Sequence, residues 1–239
     1  MEKQVNIASY LDSTYLKTAA EAGISEIETK EIVINSIKEA IESKFACIMI
    51  RSEFIEIAKE LIETFKSKLK IGTVVDFPFG NSTTEQKIIE AKSAIENGAY
   101  DIDYVCDYNA FKRGAFVKFD NDIIFGTRLV LENKKTVKWI IETGALSIDE
   151  IRNITKRISK IVQSNFPQNA NKVFIKTSTG YYGGYGATVK DVKAIKSVAG
   201  NLQIKASGGI SSLKDCLEMI KSGATRIGTS TALFIYNER

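Results

Sequence analysis

A lysine at the end of an apolar run is the first residue in this sequence whose type and position could do chemistry. Lys176 closes the segment Val173-Phe174-Ile175, and a Thr-Ser-Thr-Gly turn follows at once. This pattern predicts a buried parallel strand with the lysine at its carboxyl end. Because desolvation lowers the pKa of an amine, and a neutral amine is a nucleophile, Lys176 is a candidate for Schiff-base formation with a carbonyl substrate. The alternative is a lysine whose ammonium group reaches water at the strand end.

A second apolar run repeats this pattern, with Lys205 after Leu202-Gln203-Ile204. Since side chains alternate between the two faces of a strand, Lys176 and Lys205 are predicted to share the inner face. A lysine that is neutral near pH 7 needs a pKa about 3 units below its ordinary value, which is worth roughly 4 kcal/mol. Burial together with a second ammonium group could supply that shift.

Two aspartates share one face of another predicted strand, and Asp103 lies nearer its carboxyl end than Asp101. Asp103 is therefore a candidate for proton transfer, and its alternative role is that of a buried counterion for a lysine. Asp101 is expected to be structural and deeper. Lys138, on the following strand, is expected to point inward behind these groups.

Two glycine-rich strand ends suggest a phosphate site. Gly208 and Gly209 follow the seventh predicted strand, and Gly228, Thr229 and Ser230 follow the eighth. The loops after these two strands are the usual phosphate site of a (β/α)₈ barrel. The alternative is that the glycines only turn the chain into the next helix. The Tyr/Gly loop 181–186, after the lysine strand, is either a lid over the site or an exposed loop.

These residues must be positioned by eight short apolar runs that alternate with amphipathic segments. Capping-box pairs predict helix starts at Ser25 with Glu28, Ser82 with Glu85 and Ser147 with Glu150. Eight βα units in 239 residues predict a single (β/α)₈ TIM-barrel domain over residues 1–239, with a doubly wound open sheet as the alternative. The predicted strands are 7–12, 45–50, 71–77, 101–105, 137–143, 173–178, 202–207 and 226–229.

Composition excludes several function classes. The sequence has no histidine, which removes Ser-His-Asp and Cys-His catalysis and most zinc sites. The net charge of +4 is spread along the chain, so we expect neither a nucleic-acid nor a membrane partner, but a small anionic ligand is compatible with it. Three cysteines without C-x-x-C spacing indicate reduced thiols in a cytoplasmic protein. No signal peptide or membrane span is predicted.

Six segments resemble the motifs of a known family. They are LDSTYLK at 11–17, TVVDFPFG at 73–80, DIDYV at 101–105, WIIETG at 139–144, FIKTSTG at 174–180 and IKASGG at 204–209. Together they are similar to the motifs of deoxyribose-phosphate aldolases, which are class I aldolases with a (β/α)₈ barrel. The sequence departs from that family at Ser13, where a histidine is often found, in its tyrosine-rich loop, in the segment 112–122 and in its short carboxyl terminus.

The resemblance implies a role for each matching residue. Lys176 would be the nucleophile, Lys205 would lower its pKa, and Asp103 would relay protons with Lys205 and a water molecule. Phosphate would be bound by Gly180, Gly208, Gly209, Gly228, Thr229 and Ser230. The sugar hydroxyls would lie near Asp12, Thr14 and Thr179.

The implied reaction is reversible cleavage of 2-deoxy-D-ribose 5-phosphate to D-glyceraldehyde 3-phosphate and acetaldehyde, without a metal or an organic cofactor. The resemblance also implies a catabolic role in deoxynucleoside salvage and a homodimer, since dimers are common among relatives. Two alternatives remain: a phosphosugar isomerase or epimerase that uses Asp103 as base, and a non-catalytic binder of a phosphorylated ligand.

Overall fold

Eight parallel strands close into a barrel. The structure, a computed structural model, describes residues 5–238. Each strand pairs with the next along the chain, and β1 pairs with β8, so the prediction of a (β/α)₈ barrel is confirmed and the open sheet was wrong. The strands are β1 Leu11–Tyr15, β2 Cys47–Ile50, β3 Lys70–Val75, β4 Asp101–Val105, β5 Thr136–Ile140, β6 Val173–Lys176, β7 Gln203–Ser207 and β8 Arg226–Thr229.

Helices between the strands begin largely at the predicted caps. Capping boxes form at Ser25 and Ser147 as expected. The third box forms one residue late, at Thr83, because Ser82 instead bonds to Asp76 through its backbone N–H and its hydroxyl. The helices are α1 Ala19–Ala22, α2 Glu26–Glu42, α3 Ile55–Thr64, α4 Thr84–Asn97, α5 Tyr108–Lys112, α6 Phe116–Glu132, α7 Ile148–Asn165, α8 Val189–Lys196, α9 Leu213–Lys221 and α10 Ala232–Asn237.

The first strand begins later than predicted. The apolar run that suggested a strand over 7–12 forms a 3₁₀ helix, Ile7–Tyr10, and β1 follows it. Ile7 and Ala8 are buried in the core, and the carbonyl groups of Ala8 and Leu11 both accept from the backbone N–H of Ala46. The run therefore packs at the amino-terminal end of the barrel and does not extend the sheet.

The core has an apolar outer layer and a divided interior. Between sheet and helices, Tyr104 stacks on Trp139 with ring centroids 4.7 Å apart. Inside the barrel, a small cluster of Leu16, Cys47, Met49 and Val74 packs beside Phe77. Buried charged side chains occupy other inward-facing positions. The barrel interior therefore has an apolar part and a charged part. None of the helices in residues 5–238 is long and apolar enough to cross a membrane.

Candidate active site

A network of buried charges lies inside the barrel. It joins three carboxylates to four cationic side chains, each contributed by a strand of the sheet. The cations outnumber the carboxylates, and each carboxylate pairs with more than one positive group. The members are Asp12, Asp101, Asp103, Lys138, Lys176, Lys205 and Arg226.

Lys176 and Lys205 meet on one oxygen atom. The two residues are direct partners in the register of β6 and β7, so their side chains point the same way. Oδ2 of Asp103 accepts from Nζ of Lys176 at 3.0 Å and from Nζ of Lys205 at 2.9 Å. The structure thus brings together the three residues expected to carry the chemistry.

Burial makes Lys176 a weaker base than an ordinary lysine. Desolvation is the largest cause, and the ammonium groups of Lys205 and Lys138 add to it, while the carboxylate of Asp103 opposes it. The pKa of Lys176 is lowered to about 8 as a result. This shift has the expected direction and is smaller than the full 3 units required for neutrality near pH 7.

Asp103 is surrounded by positive charge. Its second oxygen, Oδ1, accepts from Nζ of Lys138 at 2.7 Å. Although burial opposes ionisation, the ammonium groups of Lys138, Lys205 and Lys176 hold the pKa of Asp103 well below its usual range. The carboxylate of Asp103 is thus shared by three ammonium groups.

Lys138 lies behind Asp103, as expected. Its ammonium group also pairs with Oδ2 of Asp101 at 2.7 Å, and neighbouring carboxylates outweigh burial to raise its pKa. A lysine whose proton is held this firmly can neutralise carboxylates but cannot act as a nucleophile.

Asp12 lies in the network, although the resemblance placed it near the sugar hydroxyls. Its Oδ2 pairs with Lys205 at 2.7 Å, and its Oδ1 accepts from Nε of Arg226 at 2.6 Å. Arg226 and the lysines lower the pKa of Asp12 to about 2 against the effect of burial. Thr14, half-buried, donates its hydroxyl proton to the Asp12 carbonyl oxygen at 2.9 Å. Sequence reasoning missed Arg226, because only barrel closure brings β8 beside β1.

Asp12, Asp101 and Cys47 converge closely enough to resemble a metal-binding group, with ligand atoms within 4.8 Å of one another. The carboxylates, however, already pair with Lys138 and Arg226. Burial raises the pKa of the Cys47 thiol well above its ordinary value, which disfavours the thiolate that a metal would need. This group is therefore part of the ion network.

Three of the predicted phosphate-binding glycines lie together. Gly180, Gly208 and Gly209 have φ values of +84°, +89° and +72°, a region that favours glycine. A Cβ on Gly186 would lie 2.2 Å from the carbonyl oxygen of Gly208, so the loops after β6 and β7 touch. A Cβ on Gly209 would meet nothing within 4 Å, which leaves open space beside its backbone.

The three residues at the end of β8 that were also predicted to bind phosphate lie in different surroundings from these glycines. Gly228 lies within the strand, where a Cβ would come 2.9 Å from Cε of Lys205. The hydroxyl of Thr229 donates to the carbonyl oxygen of Ile210 at 2.7 Å and ties two loops together. Ser230 is exposed. Of these three, Gly228 makes room for the side chain of Lys205, and only Ser230 is exposed.

Sequence reasoning gave no role to a buried glutamate near Lys176. Glu142 follows β5, is 1% exposed and has a φ of +55°. Its Oε2 accepts from the hydroxyl of Thr179 at 2.5 Å and from the Thr179 backbone N–H at 3.2 Å. Burial raises the pKa of Glu142, and Lys176 opposes that shift. The motif WIIETG contained this residue, but nothing local indicated its backbone conformation.

The tyrosine-rich loop spans the barrel mouth. Tyr181 follows β6, yet its ring meets that of Phe77, after β3, with centroids 4.9 Å apart. Its hydroxyl donates to Glu21, after β1, at 3.4 Å. Both β1 and β3 are three strands away from β6. Tyr182 turns the other way, with its ring centroid 6.4 Å from that of Tyr108. The position fits a lid, which stays a prediction.

Comparisons with known proteins extend over nearly the whole chain. No protein-family model matches it. A deoxyribose-phosphate aldolase of Staphylococcus epidermidis is 39% identical over 232 residues, 97% of this chain and 96% of that protein. One of Thermococcus kodakarensis is 36% identical over 230 residues, 96% of this chain and 95% of that protein. The tetrameric deoxyribose phosphate aldolase of Aeropyrum pernix matches with a TM-score of 0.80 at 26% identity, over 97% of this chain and 90% of that one.

Proposed function

The chain belongs to the deoxyribose-phosphate aldolase family, and on that premise we propose that it is a class I aldolase. It reversibly cleaves 2-deoxy-D-ribose 5-phosphate to D-glyceraldehyde 3-phosphate and acetaldehyde. The observation that carries this proposal is the buried Lys176 with a pKa of about 8, which shares one oxygen of Asp103 with Lys205. Such a lysine is partly neutral at physiological pH and can attack an aldehyde.

Lys176 begins the reaction as the nucleophile. Its neutral amine attacks C1 of the open-chain sugar, and loss of water leaves an iminium ion. The 3-hydroxyl group then loses its proton, the C2–C3 bond breaks, and the electron pair of that bond moves into an enamine. Glyceraldehyde 3-phosphate leaves. Protonation of the enamine at C2 and hydrolysis of the iminium ion release acetaldehyde and the free amine.

The proton steps are assigned to the contact between Asp103 and Lys205. Three ammonium groups hold the pKa of Asp103 well below its usual range, so the carboxylate can keep a proton only transiently. We assign a water molecule held by Asp103 and Lys205, 2.9 Å apart, to pass the proton of the 3-hydroxyl group to the carboxylate as the C2–C3 bond breaks, and the same proton then returns to C2 of the enamine. Lys138 pairs with Asp103 and Arg226 pairs with Asp12, and each cation favours the ionised form of the carboxylate it contacts.

The phosphate group is assigned to the open space beside Gly209. Gly180, Gly208 and Gly209 supply a backbone without side chains, and Ser230 stands exposed at the end of β8. Bare backbone N–H groups can approach a phosphate closely. Thr179, between Lys176 and Gly180 in the chain, would meet the hydroxyl-bearing carbons between the aldehyde and the phosphate.

The alternatives are less well supported. An isomerase that uses Asp103 as base forms no imine and has no need of Lys176, whose pKa is lowered to about 8. A binder without catalysis has no need of a buried lysine with a depressed pKa beside a second lysine. Family membership also favours the aldolase.

The cellular setting follows from the same premise. We propose a cytoplasmic enzyme that degrades deoxynucleoside-derived sugar phosphate and has no nucleic-acid partner. A homo-oligomer, either a dimer or a tetramer such as the one described for the Aeropyrum pernix protein, is proposed with it.

Borohydride trapping tests the mechanism directly. The protein is incubated with 2-deoxy-D-ribose 5-phosphate and reduced, and the modified peptide is located by mass mapping. We expect a stable adduct on Lys176 that is absent from the Lys176→Ala variant. A folded protein without an adduct would overturn the imine mechanism.

A negative charge introduced at Gly209 tests the phosphate assignment. Gly209→Asp should raise KM for the phosphorylated sugar, because the carboxylate repels the phosphate and fills the open space. Borohydride trapping with unphosphorylated 2-deoxyribose serves as the control and should change little. An unchanged KM for the phosphorylated sugar would show that the phosphate binds elsewhere.

A further inference from the structure

The hydroxyl group of Thr179 has its hydrogen bonds fixed from two sides. It donates to Oε2 of Glu142 at 2.5 Å and accepts from the backbone N–H of Tyr181 at 3.0 Å. A hydroxyl group has one proton and two lone pairs. The proton and one lone pair are therefore occupied, and only an acceptor lone pair remains. Thr179 is half-buried, so part of the residue stays accessible to a ligand.

Glu142 is held in a costly conformation for this contact. Its φ of +55° is unusual for a residue other than glycine, and such strain persists where the surroundings impose it. Its second oxygen, Oε1, is buried and lacks a hydrogen-bond partner among the residues the structure describes. A buried, unpaired oxygen is destabilising, so packing alone does not explain this carboxyl group.

Backbone pairing places Glu142 beside the nucleophile. The N–H of Ile141 donates to the carbonyl oxygen of Lys176 at 3.0 Å, and that of Thr143 donates to the carbonyl oxygen of Thr177 at 2.9 Å. Glu142 thus lies between two backbone hydrogen bonds that join the segment after β5 to the carboxyl end of β6. A shift of its side chain would displace Thr179 relative to the reacting amine.

We propose that Glu142 is a positioning residue that turns the Thr179 hydroxyl into an obligatory hydrogen-bond acceptor for the 4-hydroxyl group of the sugar. The assignment to the 4-hydroxyl rests on the proposed function: C1 is bound to Lys176 and the phosphate lies near Gly180 and Gly209. Thr179 adjoins Gly180 in the chain, so it faces the carbon next to the phosphate-bearing one. Glu142 therefore gives the site selectivity for substrates hydroxylated at that carbon.

The aldol addition of acetaldehyde to two acceptors tests this inference. D-Glyceraldehyde 3-phosphate carries the hydroxyl group that becomes the 4-hydroxyl, and 3-oxopropyl phosphate lacks it. Thr179→Val should lower kcat/KM about tenfold for the hydroxylated acceptor, the value of one hydrogen bond, and change it less than about twofold for the other. Thr179→Ser, which keeps the hydroxyl group, should retain the selectivity.

Two substitutions of Glu142 separate positioning from packing. Glu142→Leu removes both acceptor oxygens and should abolish the selectivity as Thr179→Val does. Glu142→Gln should retain it, because the amide oxygen can take the place of Oε2 while the amide nitrogen takes that of Oε1. In the double variant Glu142→Leu/Thr179→Val, the loss should be no greater than in either single variant, since both act on one hydrogen bond.

Three outcomes would overturn the inference. The first is an equal loss for both acceptors in Glu142→Leu, which would indicate a structural role only. The second is a Glu142→Gln variant as unselective as Glu142→Leu, which would indicate a role for the charge. The third is full selectivity in the Leu variant. Failure of the proposed function would look different: the wild type would give no product with either acceptor and no borohydride adduct, and this inference would fall with it.

Discussion

Two buried lysines in this protein have opposite surroundings. Lys87, on α4, is 1% exposed, and Lys176, in the barrel, is 3% exposed. Nζ of Lys87 donates to the carbonyl oxygens of Gly80 and Val105, at 3.0 and 2.9 Å. It also pairs with two carboxylates, Asp122 at 3.1 Å and Asp76 at 3.4 Å. Four oxygen atoms thus surround one ammonium group.

Lys176 has far fewer acceptors at the same degree of burial. Across residues 5–238, its only side-chain hydrogen bond goes to Oδ2 of Asp103, which Lys205 also uses. Burying a charge is costly unless it is paired and hydrogen-bonded. A buried ammonium group with few hydrogen-bond acceptors is therefore easier to deprotonate than one with many. Burial by itself therefore does not make a lysine a nucleophile, and the supply of acceptor oxygens decides its role.

Removing the nucleophile should have the largest effect. In Lys176→Ala, kcat/KM for cleavage of 2-deoxy-D-ribose 5-phosphate should fall by on the order of a thousandfold or more, because the covalent route is lost. A coupled assay of glyceraldehyde 3-phosphate release measures this. A residual rate within tenfold of wild type would show that the imine is not required.

Removing the structural lysine should affect stability instead. Lys87→Met leaves Asp76 and Asp122 buried with less compensation, so the free energy of unfolding should fall by about 3–5 kcal/mol. Chemical denaturation measures it, and the folded fraction should keep its borohydride reactivity at Lys176. Lys92→Met is the matched control on the same helix: its pair with Glu96 is exposed, so the change should stay below about 1 kcal/mol. Equal destabilisation in both variants would contradict the comparison.

The pH dependence of catalysis should follow Lys176. Its pKa is lowered to about 8, and the reactive form is the neutral amine, which predominates above that pH. Below pH 8, kcat/KM should therefore rise about tenfold per unit, and above it the value should level off. Asp103, whose pKa lies well below its usual range, should not titrate in this window. A flat profile between pH 6 and 8 would contradict the depressed pKa.

Removing the second lysine should shift this profile. Lys205→Met deletes a positive charge that lowers the pKa of Lys176 and leaves Asp103 to act on Lys176 more strongly. The midpoint should move up by about one unit, which corresponds to roughly tenfold less neutral amine at pH 7. The exposed Lys193 on α8 offers a control, since Lys193→Met should leave the midpoint in place. An unmoved midpoint in Lys205→Met would show that Lys205 does not contribute to the lowered pKa of Lys176.

The fold class and four of the charged residues that face inward follow from local sequence patterns alone. Strand alternation has a period of two, so it placed Lys176, Lys205, Asp103 and Lys138 inside the barrel without any long-range information. The predicted helix starts at Ser25 and Ser147 were equally local.

How these residues share their partners depends on long-range contacts. Asp12 and Arg226 are 214 positions apart and meet because β1 pairs with β8 when the barrel closes. Likewise, the φ of Glu142 and its bond to Thr179 depend on the packing of β5 against β6. Alternation states which face a side chain occupies. The number of acceptor oxygens around each lysine is set by tertiary packing. That number distinguishes Lys176 from Lys87.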